Sequence, residues 1–334
     1  MKLLSLLCDN NWKMQKEGGS NLDNILNTLG EKIHELNENI DIPLPSAFDM
    51  KSNLGYLQRS HNECMYEVVG DIIRRVIVIG EAPTLVEIEG IDNKLLKVQF
   101  LGGTFPSNPR QRAEVVHYIR EWFDLANELT PFYEMAKVDP LLKMPVEEFY
   151  GLRLIGISDF FEALCWGVLG QQINLSFAYT LKRKFVEKFG DSIEWNGKNY
   201  WIFPSYLRIA KLTPNDLADI KMTVKKSEYI IGIAQLMASG ELSKEKLMEV
   251  GKFKEVEKSL IKIRGIGPWT ANYVLMRCLR FPTAFPIDDV GLINAIKTIL
   301  NMDRKPTKEE ILELSTPWAN WESYATFYLW RILY

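Results

Sequence analysis

Residues 261–295 read IKIRGIGPWTANYVLMRCLRFPTAFPIDDVGLINA, and this stretch decides how the rest of the chain is read. Gly265 and Gly267 flank Ile266 between two segments of helical spacing, so the backbone turns sharply there with little side-chain cover over its N–H groups. Such groups hold a phosphate. Pro268 suits the first position of the following helix, whose positive dipole end adds to the attraction for an anion. Taken alone, a Gly-x-Gly-Pro turn is more often a plain connection than a ligand site. Further on, Pro286-Ile-Asp-Asp-Val-Gly opens another helix, where Asp288 is expected as the helix cap, an arrangement that stabilises by about 1 kcal/mol.

Composition frames that stretch. With 334 residues, 47% of them hydrophobic and 11% aromatic, the chain has the material for two or three domains. No apolar run approaches the roughly 18 to 20 residues of a membrane span, and the apolar cluster at 3–7 is too short for a secretory core. The expectation is a cytoplasmic protein with no membrane partner. Cys8, Cys64, Cys165 and Cys278 form no Cys-x-x-Cys, so neither a zinc site, a disulfide framework nor a clustered iron-sulfur loop is implied. His34, His61 and His117 are scattered and receive no role.

The net charge of −3 hides an uneven distribution. Residues 1–150 hold 15 Lys and Arg against 23 Asp and Glu, whereas 151–334 hold 25 against 20. Within 251–300 the ratio is 8 to 4, which is what one phosphate-facing surface on an otherwise acidic protein requires. Lys252, Lys254, Lys258 and Lys262 fit equally well as the wet side of an amphipathic helix.

The pattern along the chain predicts an α+β protein: a polar tail or peripheral helix over 1–40, an α/β domain with an antiparallel sheet over 41–145, and an all-α domain over 146–334. Pro43 and Pro45 mark the first boundary, and β-prone runs follow at 64–69, 72–79, 85–88 and 95–101. A helix of about twenty residues starts at Pro109 and packs its apolar face on the sheet. Helical spacing then recurs at 160–169, 175–189, 224–237, 256–263, 270–279, 290–300 and 321–333, with strand character only around 200–203.

The run Gly265-Ile-Gly-Pro-Trp-Thr-Ala-Asn-Tyr273 resembles the helix-hairpin-helix DNA glycosylase superfamily, and within it most resembles the bacterial 3-methyladenine DNA glycosylase II family. Gly151-Leu-Arg-Leu-Ile-Gly, Leu169-Gly-Gln-Gln and Ser323-Tyr-Ala-Thr-Phe-Tyr-Leu-Trp330 extend the resemblance over roughly 151–332. It implies a small antiparallel-sheet N-terminal domain followed by an all-α helix-hairpin-helix glycosylase domain. The implied activity is release of alkylated purines of the 3-methyladenine and 7-methylguanine type from damaged double-stranded DNA. No cofactor is implied, and a monomer is expected.

By that resemblance Asp289 is the catalytic carboxylate, which either stabilises the oxocarbenium-like charge on the sugar or orients the attacking water. Trp269, Tyr273 and Trp330 match the base pocket, where aromatic faces favour a cationic alkylated base by about 0.5 to 2 kcal/mol per ring. Relatives that nick the strand carry a lysine at the position of Trp269, so this chain is expected to have no lyase activity. Gln172, with Gln171 beside it, falls where the superfamily places its DNA wedge, although the resembled family often has leucine there. Gly265, Ile266, Gly267 and Thr270 are expected to meet the DNA phosphate. No metal is required, and the hairpin carbonyls of Ile263, Gly265 and Ile266 form a possible site for a monovalent cation. The competing readings are a glycosylase for an oxidised purine and a non-catalytic helix-hairpin-helix DNA-binding protein.

Overall fold

The computed structural model describes residues 39–333, so the expected tail over 1–40 lies outside the described residues apart from its last two positions. Those two begin a strand, β1 (Asn39–Pro43), which is followed by helix α1 (Met50–Leu57). Then come β2 (Glu67–Val69), β3 (Ile72–Ile79), β4 (Ala82–Ile91) and β5 (Leu95–Gly103). All pairs are antiparallel in the order β1-β5-β4-β3-β2, with Ile40 opposite Val98.

Side chains alternate across a strand, so β3 sends Ile73, Arg75 and Ile77 into the main core and Val76 to the other face. Helix α2 (Pro109–Trp122) covers the inner face; Asn108 caps it by accepting the Gln111 N–H at 2.9 Å, and Pro109 takes its first position. It is shorter than the twenty residues expected, because Asp124 enters the left-handed region at φ 51° and ends the helical course. Two short helices, α3 (Thr130–Ala136) and α4 (Lys143–Glu148), lead to the C-terminal part.

That part holds α5 (Phe160–Leu169), buried all round, and the amphipathic α6 (Leu175–Phe189). A hairpin follows, β6 (Asp191–Trp195) with β7 (Lys198–Ile202); β7 carries the strand character expected around 200–203, and its partner β6 was not expected. Asn196 and Gly197, at φ 49° and 73°, make its two-residue turn, and Tyr200 packs with Val76 and Leu85 on the outer face of the large sheet. The remaining helices are α7 (Tyr206–Ile209), α8 (Val224–Ala238), α9 (Lys244–Val250), α10 (Phe253–Ile261), α11 (Pro268–Arg277), α12 (Val290–Ile299), α13 (Lys308–Leu314) and α14 (Glu322–Trp330). Among the described residues, no helix is long and apolar enough to cross a membrane.

One hydrophobic core runs from the sheet through the helices. Arginines stitch its parts: buried Arg153 donates to the carbonyls of Ala47 at 3.3 Å and Asn127 at 2.6 Å, and half-buried Arg280 donates to the carbonyls of Leu154 at 2.7 Å and Trp122 at 3.4 Å. Buried donors are retained only when paired, and each of these guanidinium groups finds backbone acceptors across the junction. Helices α5 and α11 touch at Gly167, where a methyl group would come within 2.5 Å of Thr270 Cγ2. That close approach fixes α11, and with it the hairpin, against the helix that precedes the Gln171-Gln172 loop.

Candidate active site

The run Pro286-Ile-Asp-Asp-Val-Gly places its two carboxylates differently from the expected arrangement. Asp289, not Asp288, caps α12: its Oδ1 accepts the Leu292 N–H at 2.8 Å. Asp288 lies one residue outside the cap, exposed, and pairs instead with Lys308 at 3.3 Å. The helix starts at Val290, as its spacing predicted, so the residue directly before it, Asp289, takes the cap and Asp288 falls one position outside.

Two tryptophans complete the surroundings of Asp289. Trp330 Nε1 donates to Oδ1 and Trp269 Nε1 donates to Oδ2, each at 2.8 Å. The carboxylate therefore receives three hydrogen bonds from neutral donors, and among the described residues it has no ion pair. Neutral donors and the helix dipole support a negative charge without cancelling it. Gly291 keeps the arrangement open, since a methyl group there would lie 2.9 Å from Asp289 Oδ1 and 3.2 Å from Trp330 Cδ1.

Trp269, Tyr273 and Trp330 come together as the sequence grouped them. Trp269 and Tyr273, one turn apart on α11, stack with centroids 5.6 Å apart, and Trp330 stacks on Tyr273 at 6.1 Å. Tyr273 is buried, and its hydroxyl accepts from Arg277 Nη1 at 3.0 Å. Burial pushes its phenol up to about 12, so the hydroxyl stays protonated at neutral pH.

The hairpin joins α10 to α11. Gly265 adopts φ +94°, and a methyl group there would meet the Tyr229 ring at 2.3 Å, so glycine is required both by conformation and by space. Gly267 caps α11 and has open space beside it. The other two expected phosphate contacts face inward. Ile266 is buried and its N–H is bonded to the Ile263 carbonyl at 3.0 Å. Thr270 is buried against Gly167, and its hydroxyl accepts from Gln171 Nε2 at 3.1 Å, so its side chain cannot reach a phosphate. The turn carbonyls suggested for a monovalent cation carry internal bonds too: that of Ile263 accepts Ile266 N–H, and that of Gly265 accepts Gln171 Nε2 at 2.8 Å. A carbonyl oxygen retains a second lone pair, so these bonds do not prevent a cation contact.

Those bonds correct the pairing of Gln171 with Gln172. Gln171 is a brace between its loop and the hairpin and is not available as a wedge. Gln172 is exposed and held at φ 58°, a strained setting for a residue with a side chain. Lys226 steadies the same loop from α8, its buried ammonium donating to the Leu169 carbonyl at 2.7 Å. Lys252 and Lys254 pair with Glu255 and Glu257 at 3.7 and 3.1 Å, whereas Lys258 and Lys262 are exposed.

Sequence reasoning missed a group of residues behind Tyr273. Tyr56, Arg59, Trp166, Tyr179, Lys182 and Arg277 face a cavity of about 30 Å³. Lys182 donates to Glu162 at 2.9 Å and Glu63 at 3.2 Å, all three nearly dry. Burial opposes the charge of Lys182, but the two carboxylates more than compensate and hold its pKa above the ordinary value. Burial likewise opposes ionisation of Glu63, and Lys182 overrides it to hold the carboxyl below the usual range. Each of these charges is an ordinary helix or loop residue in the sequence, and only the tertiary fold reveals their convergence.

Residues 165–320 match the HhH-GPD superfamily of base excision DNA repair proteins, and residues 10–164 match the 8-oxoguanine DNA glycosylase N-terminal domain. Over 301 residues the chain is 72% identical to a DNA-3-methyladenine glycosylase of Bacillus subtilis (strain 168), a match that covers 90% of this chain and 99% of that one. It is 30% identical over 182 residues to DNA-3-methyladenine glycosylase 2 of Escherichia coli (strain K12), covering 54% and 60% of the two chains. A solved 3-methyladenine DNA-glycosylase from Archaeoglobus fulgidus shares the fold, with TM-score 0.76 over 87% of this chain and 97% of that one at 24% identity.

Proposed function

We propose, for a chain that belongs to the HhH-GPD superfamily of base excision DNA repair proteins and within it to the DNA-3-methyladenine glycosylases, a monofunctional enzyme that releases alkylated purines from duplex DNA. It hydrolyses the N-glycosidic bond and leaves an abasic site. The observation that carries the mechanism is the three-donor cage around Asp289, beside the Trp269, Tyr273 and Trp330 stack.

Breaking the bond between C1′ and the base nitrogen sends the electron pair away with the base and leaves positive charge on the sugar. The Asp289 carboxylate, fixed by neutral donors, faces that charge undiminished, and fixed charges of this kind need no reorganisation as the reaction proceeds. Water then bonds to C1′ and gives up a proton to solvent, which leaves a hydroxyl on the sugar. Trp269 has no amine with which to form a Schiff base, so the strand stays intact. The duplex is held through the backbone of Gly265 and Gly267, with exposed Lys258 and Lys262 adding local positive charge. Gln172 fills the gap left by the flipped nucleotide, where its amide meets the orphaned partner base. The enzyme acts as a cytoplasmic monomer, and the sheet-bearing region, read as 41–145, supports the glycosylase domain, read as 146–334.

Purified protein incubated with methylated duplex is expected to release 3-methyladenine or 7-methylguanine with both strands unbroken. Release of 8-oxoguanine alone from a duplex carrying that base would favour the oxidised-purine reading. Binding to damaged duplex without release of any base would favour the binding-only one.

A further inference from the structure

The cavity behind Tyr273 differs in chemistry from the aromatic stack in front of it. Four cations line it, Arg59, Arg75, Lys182 and Arg277, against two carboxylates, Glu63 and Glu162. Two of its tyrosine rings already face one of the protein's own cations: the Arg59 guanidinium carbon lies 3.8 Å from the Tyr56 centroid and 5.6 Å from that of Tyr179. A cationic base gains little from rings engaged in this way, and it is repelled by the surplus charge.

Two buried groups of the cavity, Arg75 Nε and the Tyr179 hydroxyl, have no hydrogen-bond partner, and Arg59 has a single acceptor. Lys182 is satisfied by Glu63 and Glu162, and Arg277 by the Ile155 carbonyl at 2.7 Å and the Tyr273 hydroxyl at 3.0 Å. Arg59, by contrast, makes one hydrogen bond, to the Tyr56 carbonyl at 3.2 Å, and no carboxylate pairs with it among the described residues. The Tyr179 hydroxyl has no hydrogen-bond partner although the residue is only 1% exposed. Native proteins leave few buried hydroxyls unpaired, and a group that could bind a ligand is one reason to keep one. Burial holds the phenol well above its ordinary pKa, so it is a donor at neutral pH. The free volume of about 30 Å³ takes an exocyclic atom rather than a whole ring, which suits the far edge of a base whose ring lies against Tyr273.

We infer that Arg59 and Tyr179 form a donor end of the base pocket that reads a carbonyl oxygen on an uncharged purine, and so rank lesions by charge. The inference rests on the base-release function proposed above and assigns its specificity. When C1′–N9 breaks, an alkylated cationic purine departs as a neutral molecule. An uncharged purine takes the same electron pair and departs with negative charge, until a proton from the attacking water or from solvent reaches it. A guanidinium and a phenol donating to its carbonyl oxygen hold that charge during departure. The aromatic stack serves the first class and the donor end the second.

The test compares release of hypoxanthine, an uncharged purine with a carbonyl, and of 3-methyladenine by the full-length enzyme and by Arg59→Met and Tyr179→Phe. Hydrogen bonds to a charged group contribute about 1.5 to 3 kcal/mol, so the ratio of hypoxanthine to 3-methyladenine release should fall about 10- to 100-fold in Arg59→Met. Tyr179→Phe removes only an unpartnered oxygen, so it should fold at least as well as the parent while lowering the same ratio. An unchanged ratio in a folded Tyr179→Phe protein, or release of 3-methyladenine but no hypoxanthine by the parent enzyme, would overturn the inference alone. Failure of the parent to release either base would overturn the proposed function and this inference with it.

Discussion

Asp289 and the pair Glu63 and Glu162 are carboxylates drawn away from solvent on either side of the same stretch of α11, yet their partners differ in kind. Asp289 receives two indole N–H groups and one backbone N–H, all neutral, at 2.8 Å. Glu63 and Glu162 share the ammonium of Lys182 at 3.2 and 2.9 Å. The first arrangement fixes a carboxylate in place and leaves its charge intact; the second sets one ammonium between two carboxylates, offsets one of their two charges and holds the fold together. Partners therefore separate the carboxylate that acts from the carboxylates that hold, even though all of them are hydrogen-bonded and at least partly buried.

The comparison breaks first at Asp289. Asp289→Asn keeps the shape, and with its amide oxygen toward Leu292 the cap, but removes the charge and leaves the Trp269 N–H without an acceptor; single-turnover base release should fall at least about 10³-fold, the scale at which preorganised electrostatic groups act. Affinity for duplex DNA should be kept or improved, because a charge that repels phosphate is gone. Lys182→Met removes the ammonium to which both buried carboxylates are bonded, so urea unfolding should show a loss of about 3 to 5 kcal/mol. Activity measured on the fraction still folded should fall far less than in Asp289→Asn.

The indoles sharpen the distinction. Trp330→Phe keeps an aromatic ring and deletes one donor to Oδ1, and a loss of about 10- to 100-fold in the rate of base release, with a smaller change in DNA affinity, is expected for one positioning hydrogen bond to a charged group. A matching loss of thermal stability and no separate loss of rate would make Trp330 only a core residue. The pH dependence of stability should isolate the second region. Glu63 binds its proton more weakly in the folded chain than in the unfolded one, so the unfolded chain takes up more protons as pH falls, and stability present above about pH 4.3 is lost through the lower folded pKa. Glu63→Gln should flatten that acid limb. The smallest effect is expected at Gln172→Ala, a few-fold weaker binding to duplex with an abasic site, of the order of one hydrogen bond. Unchanged binding would remove Gln172 from the wedge role.

Much of this was legible where the physics is local. The helix over 160–169 is bounded by Asp159, which accepts the Glu162 N–H at 2.7 Å, and by Gly170, while Asn174 opens the next helix in the same way. Gly265-Ile-Gly-Pro marked the hairpin because Gly265 needs its left-handed conformation and Pro268 suits a first helical turn. Strand β1 was not legible, since it is five residues long and exists by pairing with β5, more than fifty residues away. The cap on α12 was displaced by one residue because Asp288 and Asp289 carry the same chemistry, and only the register of the helix distinguishes them. The indole cage depends on contacts 20 and 41 residues apart, and the Glu63–Lys182–Glu162 group on contacts spanning 119. Local propensity and periodicity do not encode separations of that size; the resemblance grouped Trp269, Tyr273, Trp330 and Asp289, but not the hydrogen bonds between them. Gln171 could have been distinguished from Gln172 only by knowing that the hairpin lies against its loop.

Asp289 is proposed to present an uncancelled charge to a positive sugar. The most direct test of this is the affinity of the enzyme for two duplexes, one carrying a protonated pyrrolidine in place of the deoxyribose and one carrying a neutral tetrahydrofuran. A transition-state charge is bound more tightly than a neutral ground state by the group that stabilises it. The parent enzyme should prefer the cationic ring, and Asp289→Asn should bind both rings alike. Equal affinity of the parent for the two rings, or a preference that survives in Asp289→Asn, would contradict the account.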